Sequence, residues 1–318
     1  MPGIVRCEVL PLPDDRFSFR IDGTEVTAWN FGSTLKRPFL YPVNGPGSGE
    51  SLTRMGHPGA PNHDHHDSVW FAHHKVLGID FWGNTSPASI RQLQWLALED
   101  GNEYARAAVR LGWFDGHNPK PLLQQDLVIE LRPLADGEYT IELSSQFMPQ
   151  AEELEFQQTN FGFFAVRVAR SLSAVFGEGR LTSSTGDSGE KNLFDKTAEW
   201  MDYSGPMPQR LADGARTSAV EGITLFDHPF NPRHPASWHV RDDGWMGPSV
   251  CHAGPLQVRQ ADPLRLPYLL HIHSGPADRE RAAVIQRDWH ARPLLEVRKS
   301  TRPHHQFEIV ASNTVQKS

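Results

Sequence analysis

Five histidines fall within fourteen residues in the segment Pro61-Asn62-His63-Asp64-His65-His66-Asp67-Ser68-Val69-Trp70-Phe71-Ala72-His73-His74. Imidazole changes charge near neutral pH and is a common metal ligand, so this density points to acid–base chemistry, metal binding or a polar pocket. If residues 63–73 run extended, His63, His65, Asp67, Phe71 and His73 share one face. His63 and His65, two apart, could then hold one divalent metal or line one pocket. Asp64 or Asp67 could orient a ring through its second nitrogen. Prolines and turn formers nearby weaken the alternation before Ser68. The competing reading is a loop whose histidines only cap strands and bond backbone carbonyls.

A second concentration runs from Phe226 to Asp242, with three histidines, two arginines and two aspartates on a proline-stiffened stretch. Proline fixes the backbone and so preorganises the polar groups beside it. Here His228, His239 and Arg241 are candidate pocket residues, Asp242 a candidate auxiliary base, and Trp238 a platform for the apolar face of a sugar. A rigid surface loop with solvated charges is the alternative. In Leu269–Gly275, His271 and His273 alternate with Leu270 and Ile272, so His273 could reach a pocket rim or be a structural cross-strand histidine. Glu190, in a Gly-rich stretch, is a weaker candidate base. The working assignment makes His73, His239, Glu190 and Asp242 catalytic, with His73 or His239 transferring the proton. Arg54, His63, His65, His66, His228, Arg241, Trp238 and His273 bind substrate. These residues make no cofactor certain, and a divalent metal on His63 and His65 is the option they raise.

The elements that must position these groups are short. With 25 prolines and 26 glycines scattered along 318 residues, long helices are disfavoured. Phe17–Ile21 and Glu25–Trp29 flank Asp22-Gly23 and predict a hairpin. Further strands are expected at Ser68–His73, Gln92–Leu98, Tyr104–Trp113, Leu122–Leu131, Tyr139–Phe147, Phe163–Val168, Gly222–Phe226 and Tyr268–His273. One helix is predicted at 278–290, with Asp278 as its cap and Ala282, Ile285 and Trp289 on one face. The class is therefore all-β, an antiparallel sandwich or barrel with one C-terminal helix. A single domain over 1–318 is expected, with a long functional loop at about 177–219.

The net charge of -7 offers nothing to nucleic acid or to an anionic membrane, and suits a small neutral partner. No apolar run approaches the roughly 18 residues that span a bilayer. Two cysteines make no disulfide scaffold, and the first residues do not read as a signal peptide; a cytoplasmic location is the expectation.

Several blocks together resemble a known family. They are Arg37–Val43, Leu52-Thr53-Arg54, His63–His73, Gly78-Ile79-Asp80-Phe81-Trp82, Phe161–Arg167, Gly189-Glu190, Trp200–Gly205, Phe226–Asp242 and His273-Ser274-Gly275. This set is similar to a bacterial and fungal family that carries the label methane oxygenase PmoA, over roughly residues 15 to 295. Asp64 stands where the family has proline and Asp67 where arginine is common, so the cluster here is more acidic. The methane-oxygenase label itself does not follow, because the membrane enzyme needs transmembrane helices and this sequence offers none. The resemblance implies instead a β-sandwich similar to galactose-mutarotase-like folds (a supersandwich), and an association with sugar oxidoreductases and isomerases. The resulting expectation is a carbohydrate-active enzyme that uses histidine and carboxylate acid–base chemistry on a sugar, glycoside or keto-sugar. Mutarotation, epimerisation and elimination-type cleavage all fit. The alternatives are a non-catalytic sugar-binding protein and a metal-dependent oxygenase on a β-sandwich.

Overall fold

The computed structural model describes residues 5–56, 63–211 and 213–312. Two eight-stranded antiparallel sheets form its body. The first runs in the order β1 (Cys7–Leu12), β2 (Arg16–Ile21), β3 (Thr24–Asn30), β4 (Phe39–Val43), β5 (Val69–Ala72), β11 (Phe163–Arg167), β16 (Trp245–Ser249) and β15 (Ser237–Arg241). The second runs β12 (Arg180–Ser183), β13 (Trp200–Arg210), β14 (Arg216–Phe226), β18 (Leu264–Ser274), β9 (Tyr139–Pro149), β8 (Leu123–Pro133), β7 (Ala105–Phe114) and β6 (Ser89–Glu99). Two small ribbons pair β10 (Glu153–Phe156) with β17 (Leu256–Arg259), and β19 (Leu295–Lys299) with β20 (Phe307–Ala311).

Local chemistry accounts for these elements. The β2–β3 hairpin closes on Asp22 and Gly23, both at positive φ, which is the backbone that matches strand twist and that Asp and Gly tolerate. Residues from both sheets interdigitate in one apolar core that includes Phe17, Trp29, Trp70, Trp113, Phe147, Phe164, Trp238 and Tyr268. Each fully buried ring of this kind contributes roughly 1.5–3 kcal/mol over an exposed one. The predicted helix is α2 (Arg279–His290), following the four-residue α1 (Glu190–Leu193). Asp278 caps α2 by accepting from the amides of Glu280 and Arg281, and Ala282, Ile285 and Trp289 pack on Trp200, Phe226 and Leu269 of the second sheet. The sandwich and its C-terminal helix are as the sequence led us to expect.

One expectation needs correcting. Residues 177–219 are not a long loop: they contain β12, α1, all of β13 and the start of β14, and β13 pairs with β14 along its whole length. Pro206 and Pro208 disguise the strand. They lie beyond the reach of β12, where β13 is an edge strand and the missing N–H costs little. Only the part around α1 approaches the site described next.

Candidate functional site

On β15, the buried Trp238 and Val240 enter the core between the sheets, and His239 and Arg241 project to the opposite face. Asp243 continues that phase into the hairpin turn. These three side chains form one wall of a cleft of about 350 Å³. The facing walls come from His63, His65 and His66 and from the segment His74–Gly83, with Phe161 and Trp245 completing the lining. The His63–His66 segment and the β15 segment therefore meet across one cleft on the outer face of the first sheet.

The approach to β5 is not extended. His63–His65 form a tight turn, and Ser68 at φ 61° resets the phase of the strand. His63, His65 and His66 thus all reach the cleft, although strict alternation would split them. His66 is stacked between His63 (centroids 5.0 Å apart) and the indoles of Trp70 and Trp245 (5.6 and 5.4 Å). Burial holds its imidazole far below the ordinary value, as a neutral ring. Burial, with Arg37 nearby, brings His65 down to about 4. Among the described residues neither ring nitrogen of His65 has a hydrogen-bond partner.

His239 is also lowered to about 4, by burial and then by the adjacent Arg241. Its Nδ1 lies 3.0 Å from the Asn160 carbonyl, which can only accept, so Nδ1 carries the hydrogen and Nε2 keeps the lone pair. Two histidine–aspartate pairs complete the set. His74 Nδ1 is 3.1 Å from Asp80 Oδ1, and His63 Nδ1 is 3.6 Å from Asp243 Oδ2. Burial alone would raise Asp80, but amide bonds from Gly83 and Trp82, together with His74, hold it below the usual carboxylate range. Arg167, fully buried, braces Asp243 Oδ1 at 2.7 Å.

Aromatic rings supply the apolar part of the lining. Trp82 and Trp245 lie 5.8 Å apart between centroids, and Phe161 packs against both at 5.0 and 6.2 Å. Arg37 fixes the floor. Its Nη1 donates to Asp67 Oδ2 (2.5 Å) and to the His65 carbonyl (2.9 Å), and its Nη2 donates to the Trp82 carbonyl (2.6 Å). One buried guanidinium thereby ties the His65 wall to the Trp82 wall.

Several sequence candidates lie elsewhere or act differently. His73 is buried in the core, stacked on Phe163 at 4.7 Å, and donates from Nε2 to the Gln157 carbonyl at 2.9 Å. His228 sits under α2 against Trp289 and His290. His273 is buried on β18 and paired with Asp202 at 2.8 Å, beneath Arg281. Trp238 is a core residue whose Nε1 donates to the Ala198 carbonyl, so it offers no platform. Glu190 is engaged by Arg241 Nη1 (2.6 Å) and the Asp242 amide (2.8 Å), while Asp242 turns its carboxylate to the Glu190 amide (2.9 Å). Neither carboxylate is placed as a base in the cleft. Arg54 stands behind the rim, bonded to the Asp243 carbonyl at 3.4 Å. Asp67, an expected ring orienter, serves Arg37 instead.

Residues that the sequence assignment missed are His74, Asp80, Trp82, Phe161, Asp243 and Trp245. A signal existed for Asp243, which shares the period-two phase of His239 and Arg241. His74 lay within the histidine segment itself. No group of three His, Cys, Asp or Glu side chains among the described residues is arranged to hold a metal ion. The rings of His63 and His65 stand edge to face with centroids 6.5 Å apart. The proposed metal pair therefore has no third ligand among the described residues.

A β-sandwich bearing a cleft of imidazoles, carboxylates and aromatic rings is the class that fold and geometry define. The chain belongs to a family of unknown function, DUF6807, whose model matches residues 16–286. No curated protein matches it. Among solved structures it is similar to a 4-alpha-glucanotransferase from Thermococcus litoralis, at 9% identity and a TM-score of 0.29. That likeness covers 85% of this chain and 40% of the other. No helix among the described residues is long and apolar enough to cross a membrane.

Proposed function

We propose that the protein is a carbohydrate-active enzyme whose cleft binds a sugar, glycoside or keto-sugar and moves a proton on it. The observation that carries this reading is the meeting of His239, as a neutral base with a fixed tautomer, with Trp82, Phe161 and Trp245 in a cleft of about 350 Å³. A sugar ring has an apolar face suited to the indoles and hydroxyls suited to His63, His65 and the two aspartates. His239 Nε2 accepts a proton from a carbon next to a carbonyl, or from a hydroxyl. The His74–Asp80 pair offers an imidazole whose orientation a carboxylate fixes, which is the arrangement of an oriented acid, and His63 lies 3.6 Å from Asp243. The resemblance of the sequence to a family associated with sugar oxidoreductases and isomerases agrees with this substrate class.

The aromatic wall alone would also serve a protein that binds a sugar without transforming it. Incubating the protein with sugars, glycosides and their 3-keto derivatives, with products followed by NMR and His239→Ala as control, separates the readings. Turnover lost in His239→Ala supports the enzyme. Binding without turnover supports a binding protein. Neither binding nor turnover across the panel ends the carbohydrate reading.

A further inference from the structure

The His74–Asp80 pair has open space on both sides. One side is the aromatic cleft. The other is a shallower open cavity of about 420 Å³, lined by His74, Lys75, Gly78, Asp80, Gln157 and Gln158. His74 and Asp80 are the two residues common to both linings. Their side chains keep 39% and 27% exposure, as a partition with solvent on two faces requires.

The two cavities differ in chemistry. The first offers faces of aromatic rings. The second contains no Trp, Phe or Tyr and presents an ammonium group and two side-chain amides, which suit the hydroxyls of a ring held by its edge. The second is also preformed. The turn that carries Lys75 and Gly78 closes on itself through Val76 and Ile79 (3.0 and 2.9 Å). It is pinned to the end of β10 by the Leu77 amide on the Glu155 carbonyl (3.1 Å) and the Gln157 amide on the Lys75 carbonyl (2.8 Å). A ligand therefore meets an ordered shelf, and little loop entropy is lost on binding.

We propose that the site takes a glycoside of two units. One ring lies against Trp82, Phe161 and Trp245, and the second unit lies on the Lys75–Gln157–Gln158 shelf. The oxygen that joins them then sits beside His74 and Asp80. This rests on the carbohydrate reading above and narrows it from any sugar to a disaccharide-sized ligand.

Titration calorimetry with glucose and galactose, against maltose, cellobiose and lactose, tests the idea in the full chain. At least one disaccharide is expected to bind tenfold or more tighter than its constituent monosaccharides. In the double variant Lys75→Ala/Gln157→Ala that advantage falls to threefold or less while monosaccharide affinity stays within twofold. Lys75 is exposed and both positions keep their backbone bonds, so circular dichroism is expected to show a folded variant. A monosaccharide that binds as tightly as every disaccharide overturns the two-unit proposal and leaves the carbohydrate reading standing. So does a disaccharide advantage that survives the double variant. If none of the five sugars binds, and the wider NMR panel shows neither binding nor turnover, both readings fall together.

Discussion

Arg37 and Asp67 are joined at 2.5 Å beneath the cleft, and the same guanidinium reaches the backbone of both walls. Arg37 is 1% exposed, so removing it strands a largely buried carboxylate and releases the carbonyls of His65, Trp82 and Gly83. For Arg37→Ala we expect a loss of about 3–5 kcal/mol, the usual cost of breaking a buried pair. The double variant Arg37→Met/Asp67→Leu should lose much less, because no orphan charge remains. Urea unfolding of the three proteins checks this, and equal destabilisation of single and double variants would contradict it.

The imidazoles give a pH signature. Burial holds His65, His73 and His239 near 4, below their ordinary value of 6.5. A group depressed in the folded state binds fewer protons there than in the unfolded chain. Its stabilising contribution is therefore complete above about 6.5 and is lost as pH falls toward 4. For these three groups, thermal unfolding should show Tm falling as pH drops across that window. Turnover that uses the neutral His239 ring should likewise fall with an apparent pKa near 4. A midpoint near 6.5 in the rate profile would show that the depressed imidazole is not the base.

Replacing His239 and replacing His73 should separate chemistry from packing. His239→Ala is expected to lower kcat about 10²–10⁴-fold, the range for a lost general base, with a smaller loss of Tm than His73→Ala. His73→Ala opens a hole beside Phe156 and Phe163 and should cost about 2–5 kcal/mol of stability while ligand affinity persists. Reversed behaviour of the two variants would move the chemistry into the core, where His73 is fully buried.

Trp245 forms one wall of the cleft and also stacks on His66 and lies 4.2 Å from His239, centroid to centroid. Trp245→Ala should weaken sugar binding by about 1–3 kcal/mol. Trp245→Phe should recover much of that loss. Calorimetry on both variants decides whether the aromatic face is a binding platform.

Glu190 is predicted to act through Arg241. Glu190→Gln keeps the shape of the side chain and removes its charge, so Arg241 loses its ion pair and KM is expected to rise severalfold with kcat retained. A collapse of kcat with unchanged KM would instead restore Glu190 as a base.

The sequence revealed the architecture more fully than the site. Turn residues mark the β2–β3 hairpin, and Asp278 with the Ala282–Trp289 stripe marks α2, because both signals are local. The strand at 200–210 was hidden by prolines that only sheet order excuses. At the site, the histidine segment and the β15 segment were both visible as concentrations of polar groups. Individual side chains were not. Ser68 at positive φ breaks the phase counted from His63, and β5 is buried on both faces, so parity cannot distinguish His73 from a cleft residue. The carboxylate partners Asp80 and Asp243 arrive from turns whose approach depends on tertiary packing.

On β15 each alternate side chain belongs to a different task, Trp238 and Val240 to the core and His239 and Arg241 to the cleft. A single inserted or deleted residue in this strand would exchange the two sets, driving imidazole and guanidinium into the core and an indole into the cleft. Point changes on the outward positions leave the inward ones untouched. The chemistry of this wall is therefore open to exploration by substitution and closed to exploration by length change, so evolution can retune the site without renegotiating the fold.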